Sequence, residues 1–151
     1  MHFINKSKKH PTWIIKREIK QKYIVNTKLL MTATALYLGI VGFGLTFLPQ
    51  EIAAFFNTGT NKTFILTLQI LGGLYLGFGM MNWVAKNNLI GGIYNRPLVL
   101  GNLLHFLVSA FALIKTIEKY AETQFKVILA ITVLYSLFAA CFAYLLRKSP
   151  V

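Results

Sequence analysis

Charge is scarce in this sequence, and acidic charge above all. Of the 151 residues, 13% are charged and four are acidic, whereas 56% are hydrophobic. Soluble domains carry about 25% charged residues, so this composition excludes an ordinary soluble globule. Cysteine is nearly absent as well, and the single Cys141 excludes an internal disulfide and a cysteine-ligated metal cluster. The length predicts one domain.

Charged residues are missing altogether from four windows, at 29–48, 64–85, 97–114 and 127–146. Each is close to the ~20 residues with which a helix crosses a hydrocarbon core of ~30 Å, and the third extends toward residue 116. Helices are required because lipid offers no partner to an open backbone amide. The sequence therefore predicts an all-α membrane protein, a four-transmembrane-helix bundle over residues 29–148.

Positive charge is concentrated ahead of the first window. Eight of the sixteen Lys and Arg precede residue 29, and residues 12–28 alternate cations with apolar side chains at mostly helical spacing. We expect residues 1–28 to form a basic arm whose amphipathic helix lies among anionic lipid headgroups and then turns into the first span. The predicted membrane-surface residues are Trp13, Lys16, Arg17 and Lys20. The acidic partner is then the bilayer and not nucleic acid, with a docking face for a protein partner as the alternative.

The remaining cations predict the orientation of the spans. Lys86 and Arg96 lie between the second and third windows, and Arg147 and Lys148 lie in the tail. On the other side, loop 49–63 holds one cation, Lys62, and the loop after the third window holds three lysines against two glutamates. Cytoplasmic loops are enriched in Lys and Arg, so both termini are expected in the cytoplasm. No signal-peptide pattern is evident, and the first span is expected to be a permanent anchor. An organellar transit peptide is the alternative for this basic, acid-poor N-terminus.

Loop 49–63 contains the stretch PQEIAAFFNTG, which predicts a short surface helix. Pro49 suits the first helical turn, and Glu51 favours the positive end of the helix dipole. Asn57 to Gly59 are expected to end the helix.

Glycines are frequent in the first two spans. Gly73 and Gly77 form a small-xxx-small pair that lets two helix backbones approach closely, and Gly39 and Gly42 give the first span a narrow face of its own. We interpret all four as helix-packing residues. A glycine-lined path for a substrate or ion is the alternative.

The third span carries a polar stripe. Asn102, His105 and Ser109 fall at i, i+3 and i+7, so they share one helix face, and an ionisable group within a span is a functional candidate. Together with the end of the second span and the loop that follows it, they define a candidate polar pocket: Asn82, Tyr94, Arg96, Asn102, His105 and Ser109. The alternative is interhelical hydrogen bonding, with Gln69 and Ser136 as partners. No second histidine stands near His105 at ligand spacing, so neither a metal site nor a cofactor is predicted.

Three features of the chain resemble small four-span membrane proteins of bacteria, families to which no activity is assigned. They are the four short spans, the glycine-rich second span running into Asn82-Trp83, and the Leu48-Pro49 turn that closes the first span. The resemblance covers about residues 29–146. It implies a bundle fold in a bacterial inner membrane and carries over no catalytic residue.

Three hypotheses for function follow. The first is an accessory or stabilising subunit of a larger membrane complex, which associates with a protein partner or with copies of itself. The second is a homo-oligomeric carrier or pore whose polar stripe faces water. The third is a membrane-embedded enzyme or binding protein for a lipid-like or quinone-like anion held by Arg96 and His105. No catalytic constellation supports enzymatic activity.

Overall fold

The computed structural model describes residues 12–87 and 96–148, and within them the side chains of residues 27–87 and 96–147. Every regular element in these ranges is helical, which confirms the predicted all-α class. The elements are α1 (Thr12–Phe47), α2 (Pro49–Phe55), α3 (Lys62–Ala85), α4 (Arg96–Thr116), a 3₁₀ turn (Ile117–Lys119) and α5 (Glu122–Lys148).

Four stretches within the described residues are long and apolar enough to cross a membrane. They are Thr27–Phe47, Lys62–Ala85, Arg96–Lys119 and Glu122–Arg147. Each overlaps one of the four charge-poor windows almost completely, because a run without charge is both the sequence signal and the physical requirement for a span. The chain is thus an all-α membrane protein built as a four-helix bundle.

Helix α1 lacks the break that was expected between the basic arm and the first span. Its 36 residues are helical without interruption, so the predicted turn near residue 28 is absent. Residues 12–28 contain neither glycine nor proline, the two residues that most often end a helix. At 1.5 Å per residue α1 is about 54 Å long, more than the ~40–45 Å of a bilayer with its headgroups. The four predicted surface residues Trp13, Lys16, Arg17 and Lys20 lie on this helix, but their side chains are outside the described part.

The short helix α2 confirms the interpretation of PQEIAAFFNTG. Pro49 occupies its first turn, and Pro49 and Ala53 are buried. Asn57 and Gly59, just beyond its end, have positive φ angles of 53° and 79°, the backbone conformation in which helices commonly stop. The Gln124 side chain of α5 donates a 2.7 Å hydrogen bond to the carbonyl oxygen of Phe55, which ties α2 to the other half of the bundle.

The four spans associate as two antiparallel pairs. Helix α1 packs along α3, and α4 packs along α5. The space between the pairs is filled by large side chains, and the buried members of this core are Met31, Leu38, Val99, Phe106, Ala110, Tyr135, Phe138, Ala139 and Phe142. The polar groups of interest lie beside this core, between α3, α4 and α5.

Candidate functional site

Helices α1 and α3 are in contact through glycine. A Cβ atom added to Gly42 would lie 2.8 Å from the Leu76 amide nitrogen, and one added to Gly72 would lie 2.7 Å from the Thr46 amide nitrogen. At Gly79 the added atom would lie 3.2 Å from the amide nitrogen of Gly39. The two backbones therefore approach at distances that a larger residue would prevent.

Only two of the four predicted packing glycines take part in this contact. Gly42 packs against α3, and Gly39 lends its backbone to the contact with Gly79. A Cβ atom at Gly73 or Gly77 would meet no atom within 4 Å in the described chain. The close approach uses Gly72, and one residue along a helix turns the side-chain direction by about 100°. Gly73 and Gly77 are thus not packing residues between α1 and α3.

Asn82 and Asn102 form a closed pair between α3 and α4. The Asn82 amide nitrogen donates to Oδ1 of Asn102 at 2.8 Å, and the Asn102 amide nitrogen donates to Oδ1 of Asn82 at 3.0 Å. Each nitrogen also donates within its own helix, to the carbonyl oxygens of Phe78 at 2.8 Å and Leu98 at 2.9 Å. All four amide hydrogens are used, and both side chains are completely buried. We refer to these two residues as the asparagine clasp.

His105 lies about one turn beyond the clasp, surrounded by aromatic rings. Its ring centroid is 5.1 Å from those of Tyr75 and Phe106, 5.4 Å from that of Phe78, with which it stacks, and 5.8 Å from that of Tyr135. The Nε2 atom is buried and has no hydrogen-bond partner among the described residues. These ring contacts position the imidazole, and Nε2 contributes no hydrogen bond to a described residue.

A hydrogen bond of 2.6 Å joins the hydroxyl groups of Tyr75 and Tyr135 beside His105. Tyr37 of α1 approaches from the other side, with its ring centroid 5.8 Å from that of Tyr135. None of these tyrosines is among the site residues predicted from the sequence. Tyrosine is normally enriched at membrane interfaces, so a tyrosine in mid-span was itself a signal for a buried hydroxyl with a partner.

The described residues of the candidate polar pocket do not form one site. Arg96 is exposed at the first residue of α4, and the nine residues from there to His105 rise about 13 Å. Ser109 is half-buried further along α4, and Tyr94 lies outside the described residues. The structure brings together Asn82 with Asn102, and His105 with two tyrosines.

The two hydrogen-bond partners expected from the sequence face elsewhere. Ser136 donates to the carbonyl oxygen of Thr132 in its own helix at 2.8 Å, and Gln69 is exposed on α3. Within the ranges that the structure describes, no three His, Cys, Asp or Glu side chains are grouped so that they could hold a metal ion. The chain matches no protein-family model, no curated protein and no solved structure.

One outward face of α3 combines features that distinguish it from an ordinary lipid-facing surface. Gln69, Gly73 and Gly77 are four residues apart, so they form one line along the helix, and all three are exposed. Large apolar side chains flank them, with Leu66 55% and Ile70 60% exposed. We call this surface the Gln69 face.

Proposed function

We propose that this protein works by association inside the membrane, as an accessory or stabilising subunit that contacts another membrane helix through the Gln69 face. The observation that carries the proposal is a polar side chain on an outward surface of a span, in line with two exposed glycines.

An amide directed at hydrocarbon is unfavourable. A polar group that leaves water without gaining a hydrogen bond loses several kcal/mol, and lipid chains offer no donor or acceptor. A neighbouring helix can supply the missing partner, and interhelical hydrogen bonds of this type contribute about 0.6 kcal/mol on average. Gln69 is thus stabilised more by a protein neighbour than by lipid.

Gly73 and Gly77 allow that neighbour to come close. Association of helices in lipid depends on packing and hydrogen bonds, since lipid tails are as apolar as the helices themselves. A surface without side chains lets two backbones approach, as Gly42 and Gly72 do within the chain. The Gln69 face provides the same geometry on the outside, for a helix of a partner protein or of a second copy.

The other two hypotheses receive less support from the geometry. A pore needs polar groups that face water, but the amide hydrogens of Asn102 are used in the asparagine clasp. A site for a lipid-like anion needs Arg96 near His105, and about 13 Å of helix separates them along α4.

Native mass spectrometry of the protein extracted gently from its own membrane tests the proposal. The expected result is a discrete assembly that is lost in Gln69→Leu/Gly73→Leu and retained in Val133→Leu, a matched change at a position of α5 that is 61% exposed. An assembly that survives the double substitution would contradict the proposal. A homo-oligomer that conducts ions in liposomes would favour the pore instead.

For the location we propose a bacterial cytoplasmic membrane with both termini in the cytoplasm. The support is the excess of Lys and Arg in the N-terminal arm, in the 82–97 connection and in the tail, since the positive side of such proteins stays inside. Fluorescence of a green fluorescent protein fused to the C-terminus, which folds in the cytoplasm, is the expected result. Activity of an alkaline phosphatase fused there would show that the C-terminus lies on the opposite side of the membrane.

A further inference from the structure

A groove follows the α4/α5 pair on the side that faces the membrane. On α4 its lining extends from Leu103 to Ile114, and on α5 it includes Ser136, Ala140 and Ala143. Its volume is about 400 Å³. Short alanine side chains create the space, and the one hydroxyl among these residues is already used, because Ser136 donates to its own helix. The groove therefore suits an apolar occupant.

The groove is elongated along the helix axes. From Leu103 to Ile114 the axis of α4 rises about 17 Å, and the volume of about 400 Å³ is spread over this length. On α4 the lining covers about one leaflet, which is half of the ~30 Å hydrocarbon core, and the α5 residues line the deep end of the groove, at and beyond the middle of that span. A single hydrocarbon chain fits this space.

Positive charge lies at one end of the groove. Phe111 lines the groove, and Lys115 follows it at i+4, so it lies on the same face of α4. Lys115 and Lys119 are both exposed. The acidic side chains at this end are Glu118 and Glu122, and Glu122 is paired with Lys126 at 3.1 Å. An anionic group at the membrane surface would meet Lys115 directly above the groove.

We propose that the α4/α5 groove binds one acyl chain of an anionic phospholipid whose headgroup phosphate lies at Lys115. The lipid belongs to the leaflet on the side of the 3₁₀ turn. This site is separate from the Gln69 face, and it does not depend on the function proposed for that surface.

The test uses electron paramagnetic resonance of the intact protein in phosphatidylcholine vesicles that contain chain-spin-labelled phosphatidylglycerol. Ala140→Leu/Ala143→Leu fills the groove from two exposed positions, and Ala112→Leu is the control, an exposed alanine of α4 outside the lining. The expected result is a loss of about one motionally restricted lipid per chain in the filled variant and no change in the control. An unchanged restricted fraction in the filled variant would overturn the site.

A second pair of measurements separates the headgroup from the chain and lipid from protein. Lys115→Gln is expected to reduce the preference for phosphatidylglycerol over phosphatidylcholine about fivefold at low salt, as for one cation near a phosphate. An unchanged preference would overturn the headgroup assignment. If Ala140→Leu/Ala143→Leu instead alters the oligomeric mass in native mass spectrometry, the groove holds a protein segment and the lipid proposal is wrong. Unchanged circular dichroism of each variant verifies the fold.

Discussion

The interface between α1 and α3 and the interface between the two helix pairs solve the same problem in opposite ways. Within the first pair, glycines remove side chains so that two backbones meet. Between the pairs, large rings fill the space, and two buried polar contacts, the asparagine clasp and the tyrosine pair, cross it. Lipid supplies no hydrophobic force between helices, so each interface depends on close packing, and the wider one adds hydrogen bonds.

The largest expected effect concerns the glycine interface. Gly72→Leu should destabilise the chain by about 3 kcal/mol or more, because overpacking against backbone atoms leaves little room for adjustment. Gly73→Leu, its neighbour, should leave the stability of the isolated chain nearly unchanged because it faces open space. Thermal unfolding of both variants in detergent gives the comparison. Equal midpoints would contradict the assignment of the contact to Gly72.

The next effect concerns the asparagine clasp. Asn102→Leu leaves the Asn82 amide buried without its partner, which is expected to destabilise the chain by about 1–3 kcal/mol. Asn82→Leu/Asn102→Leu should recover part of that loss because no amide is then left unpaired. The four variants of the double-mutant cycle, measured by unfolding in detergent, give the coupling energy. A coupling energy of zero would show that the two side chains do not interact.

A smaller effect is expected at the tyrosine pair. Tyr135→Phe retains the ring contacts with Tyr37, His105 and Phe106 and removes the hydroxyl that bonds Tyr75. The loss should be about 1 kcal/mol, the net contribution of one hydrogen bond. The same unfolding assay measures it.

The smallest effect is expected at His105. Since Nε2 has no partner within the described chain, His105→Phe should keep the stacking on Phe78 and change the free energy of unfolding by less than about 1 kcal/mol. A loss above about 2 kcal/mol would mean that the imidazole makes a hydrogen bond in the folded protein.

The sequence predicted the positions of the helices well, but it did not predict which side of each helix faces the interior of the bundle. Absence of charge located the spans, and Pro49 with Asn57 and Gly59 located α2, because these signals act locally. Which side of a helix faces inward is another matter: in lipid an outward leucine is as favourable as a buried one, so hydrophobicity does not distinguish Gly72 from Gly73. The pattern placed Asn82 and Asn102 in one candidate pocket but did not predict that they bond to each other. Their pairing depends on the order of helices around the bundle, which one sequence does not contain.

The asparagine clasp has a consequence for how the two halves of the protein are aligned. It lies near the end of α3 and near the start of α4, and its two directional bonds fix the height of one helix pair against the other. The length of the connection between the pairs therefore does not have to fix their relative height. Each doubling of the length of a loop adds only about 0.6 kcal/mol to the entropic cost of closing it. The connection is therefore the place where evolution or an engineer can insert new sequence without shifting the vertical register of the bundle.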